Sequence, residues 1–455
     1  MLHNNRTIPN RDLRYRPLAF LIGLSLLCWA GAANAATLCV NKNGRAGCSS
    51  TISAAVAAAS PGDTIVVARG IYKEDVLITK SLSLIARGND NPTIDATGLS
   101  NGIFINGMSA APKVGVANVL ISGFTVHNAN FEGILVANAY DVTLRGNHVL
   151  YNDDSLDIGD GTCPNIPAFE TNEGDDCGEG IHLMGAVHAT VVGNEVERNS
   201  GGILISDETG PSRGNLITGN FVHDNPFDCG ITMASHGPAT SVIPSATVSY
   251  GVFRNTIAHN VSERNGYQVP GAGAGVGIFA PFPGTTASAN VVIDNDLLDN
   301  GMPGVALHNH AAAPAPAPPV NLNDNVIVGN HFSGNAADTA DAATSGPTGI
   351  NVYSVAPITG TVISQNTFDN EKVNVAFKAP VGQLSVHFNN FNNRGIGVDN
   401  LGSGTVNATD NWWQCPNGPG GHGCATAVGS GLYLSPWLPS PFVADRYSGR
   451  DSGRY

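Results

Sequence analysis

The sequence predicts an all-β chain folded as a single-domain solenoid, and three observations predict it. First, a short phrase returns nine times: a small residue, usually Gly, an apolar residue, any residue, and a residue that is usually apolar. Copies begin at Gly133, Gly180, Gly202, Gly230, Gly277, Gly304, Gly349, Asn374 and Gly395. Second, most copies are preceded by Asn (or Gly), a spacer, an apolar residue and a second Asn near the fifth place. Asn147 to Asn152, Asn194 to Asn199, Asn220 to Asn225, Asn295 to Asn300 and Asn330 to Asn335 are examples. Third, the period of about 20 to 50 residues is that of a solenoid, and each unit reads as short alternating strands between Gly and Asn turns. One such coil cannot bury its own apolar face, so coils must stack.

Stacked coils repeat at the interstrand spacing of about 4.8 Å, which piles equivalent residues into columns. Ile134, Ile181, Ile203, Ile231, Ile278, Val305 and Ile350 read as one inward column, the core. Asn residues in successive turns predict a ladder of side-chain amides, and Asn tolerates the left-handed turns that Gly supplies elsewhere. At the start, Ala-rich Thr51 to Ser60 predicts a short helix that Pro61-Gly62-Asp63 ends, followed by strands around Gly70. A helix there caps the open end of the core. At the other end, Asp410 to Pro416 carries Trp412 and Trp413, which read as closing the lower end.

These features together resemble the right-handed parallel β-helix proteins of the pectate-lyase-like superfamily, over roughly Ala36 to Pro439. The resemblance implies a right-handed parallel β-helix with a short N-terminal capping helix, of the type secreted by bacteria. The expected division is a signal peptide over 1–35, the β-helix over 36–441 and a disordered tail over 442–455.

Arg11, Arg14 and Arg16 precede an apolar run from Leu18 to Ala30, and Ala33-Asn34-Ala35 offers small residues for cleavage. The run is short for a membrane span. Secretion or export to a periplasm, with no membrane insertion, is therefore expected. The leader holds four Arg and one Asp, so its removal takes the net charge from −14 to −17. That acidity argues against nucleic acid as a partner. Among eight Cys, Cys39 with Cys48, Cys163 with Cys177, and Cys415 with Cys424 lie close enough in sequence to staple loops in an oxidising compartment. Cys229 reads as a packed thiol, with a Cys177–Cys229 pairing as the alternative. A monomer is expected.

Chemistry in a solenoid sits on outward strand positions and the loops beside them. The outward column reads Leu135, His182, Leu204, Thr232, Phe279, Ala306 and Asn351. Glu132, Glu179 and Asp228 stand before strands, while Asp207, Glu208, Ser235, His236, His308 and His310 follow them. Imidazole beside carboxylate suits general acid–base work near neutral pH. His182, Asp207, Glu208, Asp228 and His236 are therefore the expected catalytic set. Glu179, Thr232, Phe279, His308 and His310 are the expected substrate contacts. Tyr250, Tyr267, Phe279 and Phe282 offer aromatic faces for sugars. A second concentration is the insertion from Asp153 to Glu179, with nine acidic residues and no Lys or Arg. Within it Asp154, Asp157, Asp160, Asp175 and Asp176 are the expected ligands of calcium, the one cofactor the sequence suggests, against a merely solvated loop or a direct part in catalysis.

The reading is a secreted enzyme acting on a polysaccharide laid along the solenoid, with lyase, glycoside hydrolase and uronate epimerase all open. Gly174-Asp175-Asp176-Cys177 and Ser235-His236-Gly237 resemble the polygalacturonase-type glycosidases, but that family's Arg-x-Lys element is missing. Lyases of the superfamily often use Lys or Arg as base. None stands on the key face between Gly180 and Gly304, so His182 or His236 would take that part. The alternatives are non-enzymatic. One is a periplasmic copper-site accessory factor of the NosD type, with His182, His236, His308 and His310 as ligands. The other is a carbohydrate-binding module or adhesin.

Overall fold

Short runs of alternating apolar and polar residues, many of them ended by a left-handed residue, carry this chain round a path that returns on itself coil after coil. The computed structural model describes residues 35–108, 115–153, 178–236, 249–268, 273–340, 344–380 and 382–443. Among these, strands align into parallel sheets of 14, 12 and 11 members, with a fourth of three two-residue strands. Sheet one runs from Thr37–Val40 to Leu432–Tyr433, sheet two from Val76–Ile78 to Thr426–Gly429, and sheet three from Ile71–Tyr72 to Asn390–Phe391. Neighbours within a sheet are the strands of adjacent coils, so the solenoid is a right-handed parallel β-helix, the hand that parallel crossovers take almost without exception.

The core is the inside of this stack. Ile134, Ile181, Ile203 and Ile231 pair coil to coil and are buried, as their column predicts. Two copies of the repeat are displaced by two residues from the pattern, one starting earlier, at Gly275, and one later, at Gly397. Val276, not Ile278, lies opposite Ile231 and Val305, and Val398, not Ile396, lies opposite Val375. A slip of two keeps every side chain on its own face, so alternation in the sequence cannot reveal it. The slip moves Phe279 out of the His182 column, where Gly277 stands instead, and sets it opposite Ala234 and His308.

The Asn turns form three ladders. In the longest, each side-chain amide donates to the carbonyl oxygen of the next, from Asn147 through Asn194, Asn220, Asn260, Asn295, Asn330, Asn366 and Asn389 to Asn411. A second runs from Asn152 to Asn335, and a third joins Asn215, Asn255 and Asn290. The left-handed residue is the one before each ladder Asn rather than the Asn itself, as at Gly146, Gly193, His259, Asp294 and Gly329. That kink turns the Asn side chain inward, where a buried amide must find partners.

The second ladder ends on a carboxyl group. Glu371 accepts from the backbone N–H and the Nδ2 of Asn335, at 3.2 and 2.8 Å, while its Oε2 is buried without a hydrogen bond. Burial pushes the carboxyl up, the Asn335 bonds only partly oppose it, and the result is about 7 against an ordinary 4.5. Between those two values the folded chain keeps a proton that the unfolded chain has released, so stability falls as pH rises from 4.5 to 7. The penalty at this site is on the order of 3 kcal/mol. Urea midpoints of the wild type should carry this slope, and those of Glu371→Gln should lack it.

Both ends of the core are plugged. The helix Ile52–Ala58 turns Ile52, Ala55 and Val56 onto the first coil. Thr51 Oγ1 and both Glu74 carboxylate oxygens accept its leading N–H groups, and Lys80 Nζ donates to Val56 and Ala59 carbonyls near its end. At the far end Phe332, Phe368 and Phe391 stack toward Trp413, which is fully buried. Phe442, at the start of the expected tail, exchanges hydrogen bonds of 2.9 and 2.7 Å with Asn390. Cys39–Cys48 and Cys415–Cys424 are disulfides and Cys229 is a buried free thiol. Cys163 and Cys177 lie outside the described residues, as do the five aspartates expected to hold calcium. No helix among the described residues is long and apolar enough to cross a membrane.

Candidate active site

Three consecutive strands of sheet two, Glu179–Met184, Gly201–Ser206 and Ile231–Ala234, build the site. Their alternation sends Ile181, Leu183, Ile203 and Ile205 into the core. His182 and Ser206 therefore stand on the outer face. The register sets Ser206 opposite Met184, so His182 and Ser206 meet on the diagonal between neighbouring coils.

A continuous line of polar groups follows. Glu132 Oε1 meets His182 Nδ1 at 2.8 Å, and His182 Nε2 meets Ser206 Oγ at 2.7 Å. The Ser206 hydroxyl donates to Glu208 Oε2, and Glu208 Oε1 meets His236 Nδ1 at 2.8 Å. Glu132 also accepts the Glu179 backbone N–H at 2.8 Å, and Glu179 Oε2 approaches His182 Nδ1 at 3.8 Å. Glu132, His182, Ser206 and Glu208 are all buried, whereas the His236 side chain is 12% exposed. His236 is thus the least buried member of the relay.

Burial alone would push the Glu208 carboxyl up. The hydrogen bond and charge of His236, the charge of His182 and the Ser206 hydroxyl outweigh it and hold the group at about 2. Glu208 is therefore ionised and accepts from His236 Nδ1–H, leaving Nε2 as the ring nitrogen that exchanges a proton. Ser206 has one proton, and it goes to Glu208. His182 Nε2 then donates to Ser206 while Nδ1 donates to Glu132, so the arrangement that satisfies every contact has a proton on each His182 nitrogen.

The structure gathers His182, Glu208 and His236 from the expected catalytic set and gives Asp207 different work. Asp207 accepts the His236 backbone N–H at 2.9 Å, the Ser235 hydroxyl at 3.2 Å and the Gly251 N–H. It is a clamp that fixes the segment carrying His236. Asp228 stands against Gly201 beside Glu179. Thr232 is buried and hydrogen-bonded to Cys229, a place for packing rather than for a ligand. Phe279, His308 and His310 form a separate group with Tyr353. His308 stands 5.6 Å from His310 and 5.9 Å from Phe279, ring to ring. At three coils from Ser206 this group lies about 14 Å along the same face. Tyr250, Tyr267 and Phe282 are each about half exposed, and Tyr250 lies between Ser249 and Gly251, which tie it to the Asp207 clamp.

Ser206 is the member that the sequence reading missed. Its signal was a polar residue at a strand position where the adjoining coils carry Met184 and Ala234. Glu132 was noticed before its strand but given no role.

Residues 86–251 match the family model for the right handed beta helix region. No curated protein matches the chain by sequence. Similar solved structures include a mannuronic acid specific polysaccharide family 6 lyase from human gut microbiota, at 11% identity and TM-score 0.47, covering 82% of this chain and 80% of that one. The A-module of a mannuronan C-5 epimerase from Azotobacter vinelandii is similar at 12% identity and TM-score 0.46, covering 86% and 94%. A DFA-IIIase from Arthrobacter chlorophenolicus A6, without its lid, is similar at 13% identity and TM-score 0.44, covering 82% and 89%. These are likenesses of fold.

Proposed function

We propose that this right-handed β-helix is an exported carbohydrate-acting enzyme that works by proton abstraction at His236 on a polysaccharide lying along sheet two. The observation that carries the reading is the relay ending at His236, with Glu208 held ionised at about 2. Glycoside hydrolysis calls for two carboxyl groups, one of them a proton donor near neutral pH. Glu208 is too acidic for that part, and Asp207 is committed to backbone N–H groups. An imidazole oriented by a carboxylate suits removal of a carbon-bound proton. On a uronate, His236 takes the proton from the carbon beside the carboxylate. The electron pair forms a double bond as the glycosidic C–O bond breaks and the leaving oxygen takes a proton. Returning the proton to the opposite face instead gives epimerisation. The exposed rings of Tyr250 and Phe282 favour a sugar chain on this face. The aspartates of the acidic insertion are proposed to hold calcium, which would neutralise the uronate carboxylate.

The test is turnover on a panel of neutral and uronate polysaccharides with calcium present. New reducing ends with the ultraviolet absorbance of an unsaturated uronate support elimination, and altered uronate stereochemistry without cleavage supports epimerisation. Reducing ends without that absorbance return the chain to the hydrolases. No change in any substrate favours the binding or accessory readings.

A further inference from the structure

On sheet three, away from the relay, the strands His148–Leu150, Glu195–Glu197 and Phe221–His223 lie side by side. Val149, Val196 and Val222 face the core, so their neighbours face outward. The register sets His148 beside Glu195, and Glu197 beside His223. We propose that His148, Glu195, Glu197 and His223 bind one divalent transition-metal ion of the zinc class, bolting three successive coils together.

Donor atoms of His148, Glu195 and Glu197 all fall within 4.8 Å of one another. His148 Nε2 is 2.9 Å from Glu197 Oε1 and 3.9 Å from Glu195 Oε2. From the next coil, His223 Nε2 points at the other Glu195 oxygen, 3.5 Å away. Zinc bonds of about 2.0–2.1 Å place tetrahedral donors roughly 3.3 Å apart, within the spread of these separations. The Glu195 side chain is 47% exposed, free to rotate and close the set.

A separate observation points to a ligand. His223 Nε2 is buried without a hydrogen-bond partner, and the side chain is only 8% exposed. Its other nitrogen, Nδ1, is held by Asp224 Oδ2 at 2.7 Å, and Asp224 is gripped by Arg264 through bonds of 2.8 and 2.9 Å. A carboxylate that accepts Nδ1–H presents the Nε2 lone pair outward, which is how histidine ligands are oriented. Phe221 stacks on the His223 ring at 3.8 Å and fixes its plane. Arg198 takes Glu197 Oε2 at 2.5 Å and leaves Oε1 toward the site. Two imidazoles with two carboxylates favour zinc over calcium or magnesium, which prefer all-oxygen shells.

The experiment is equilibrium dialysis of the untagged chain against zinc at neutral pH, with calcium and magnesium run in parallel and circular dichroism as the check on folding. One equivalent of zinc should bind at micromolar concentration or tighter and raise Tm. His148→Gln and His223→Gln should each weaken binding at least about ten-fold, and Asp224→Asn by about 10- to 100-fold. His182→Gln should leave it intact, because His182 belongs with Glu132 and Glu179 to a separate compact donor set, the second among the described residues. Absence of a zinc equivalent at about 100 µM would overturn the proposal. So would binding that survives both sheet-three histidine variants, or that disappears with His182→Gln. Neither outcome bears on catalysis at His236.

Discussion

Replacing His236 with Ala is expected to lower turnover of a responsive polysaccharide by about 10²- to 10⁴-fold, the range a positioned acid–base group supplies. KM should change little, because the imidazole is required when the proton moves rather than when the chain docks. The fold should survive: the backbone N–H of residue 236 keeps its bond to Asp207, and the lost side chain is partly exposed. Glu208→Gln separates orientation from charge. The amide still offers an oxygen to His236 Nδ1 but removes the negative charge beside the ring. A nearby carboxylate favours imidazolium, so its loss should move the acidic limb of kcat/KM to lower pH. A merely structural Glu208 would leave that limb in place. Ser206→Ala tests the relay itself, since it cuts His182 from Glu208 without touching His236. Turnover within about three-fold of wild type in His236→Ala would place the chemistry elsewhere on the face.

The fold was legible because a solenoid writes its period into the chain. A position wrong by one residue would bury a polar side chain, so the inward column at Ile134, Ile181, Ile203 and Ile231 could be read directly. A shift of two breaks no such rule, and it hid Gly275 behind Gly277. The site was half legible. His182, Glu208 and His236 stood out as titratable residues near matching strand ends. What joins them did not, because Ser206 is a common residue whose meaning depends on the diagonal contact between coils. Asp207 shows the reverse. Next to Glu208 in sequence, it turns the other way and is consumed by backbone N–H groups 29 and 44 residues away, contacts that no local pattern announces.

Asn295→Ala is expected to destabilise the chain by about 4 kcal/mol or more, among the largest effects a single substitution has. Asn295 Oδ1 accepts the backbone N–H and the Nδ2 of Asn260, at 2.9 and 3.0 Å. Its Nδ2 donates to Ile257 O, Ile293 O and Asn330 Oδ1, at 2.9, 3.0 and 2.9 Å. Truncation leaves those groups buried, and each unsatisfied one costs about 1–3 kcal/mol. The loss exceeds that of an apolar truncation of equal size because the ladder is cooperative: Asn260 and Asn330 each lose one of their own supports. Asn295→Asp distinguishes donors from acceptors. It keeps an oxygen toward Asn260 but offers no N–H, and near neutral pH it buries a charge, so it should be milder in acid than at pH 7. Urea denaturation gives both answers. Equal midpoints for wild type and Asn295→Ala would mean that the inward apolar columns carry the stack without the amides. Because coils contact only their neighbours, the break should appear as local opening around 260–330 before the ends unfold. Hydrogen exchange would detect it as lost protection in that segment with the coils near residues 65 and 406 unchanged.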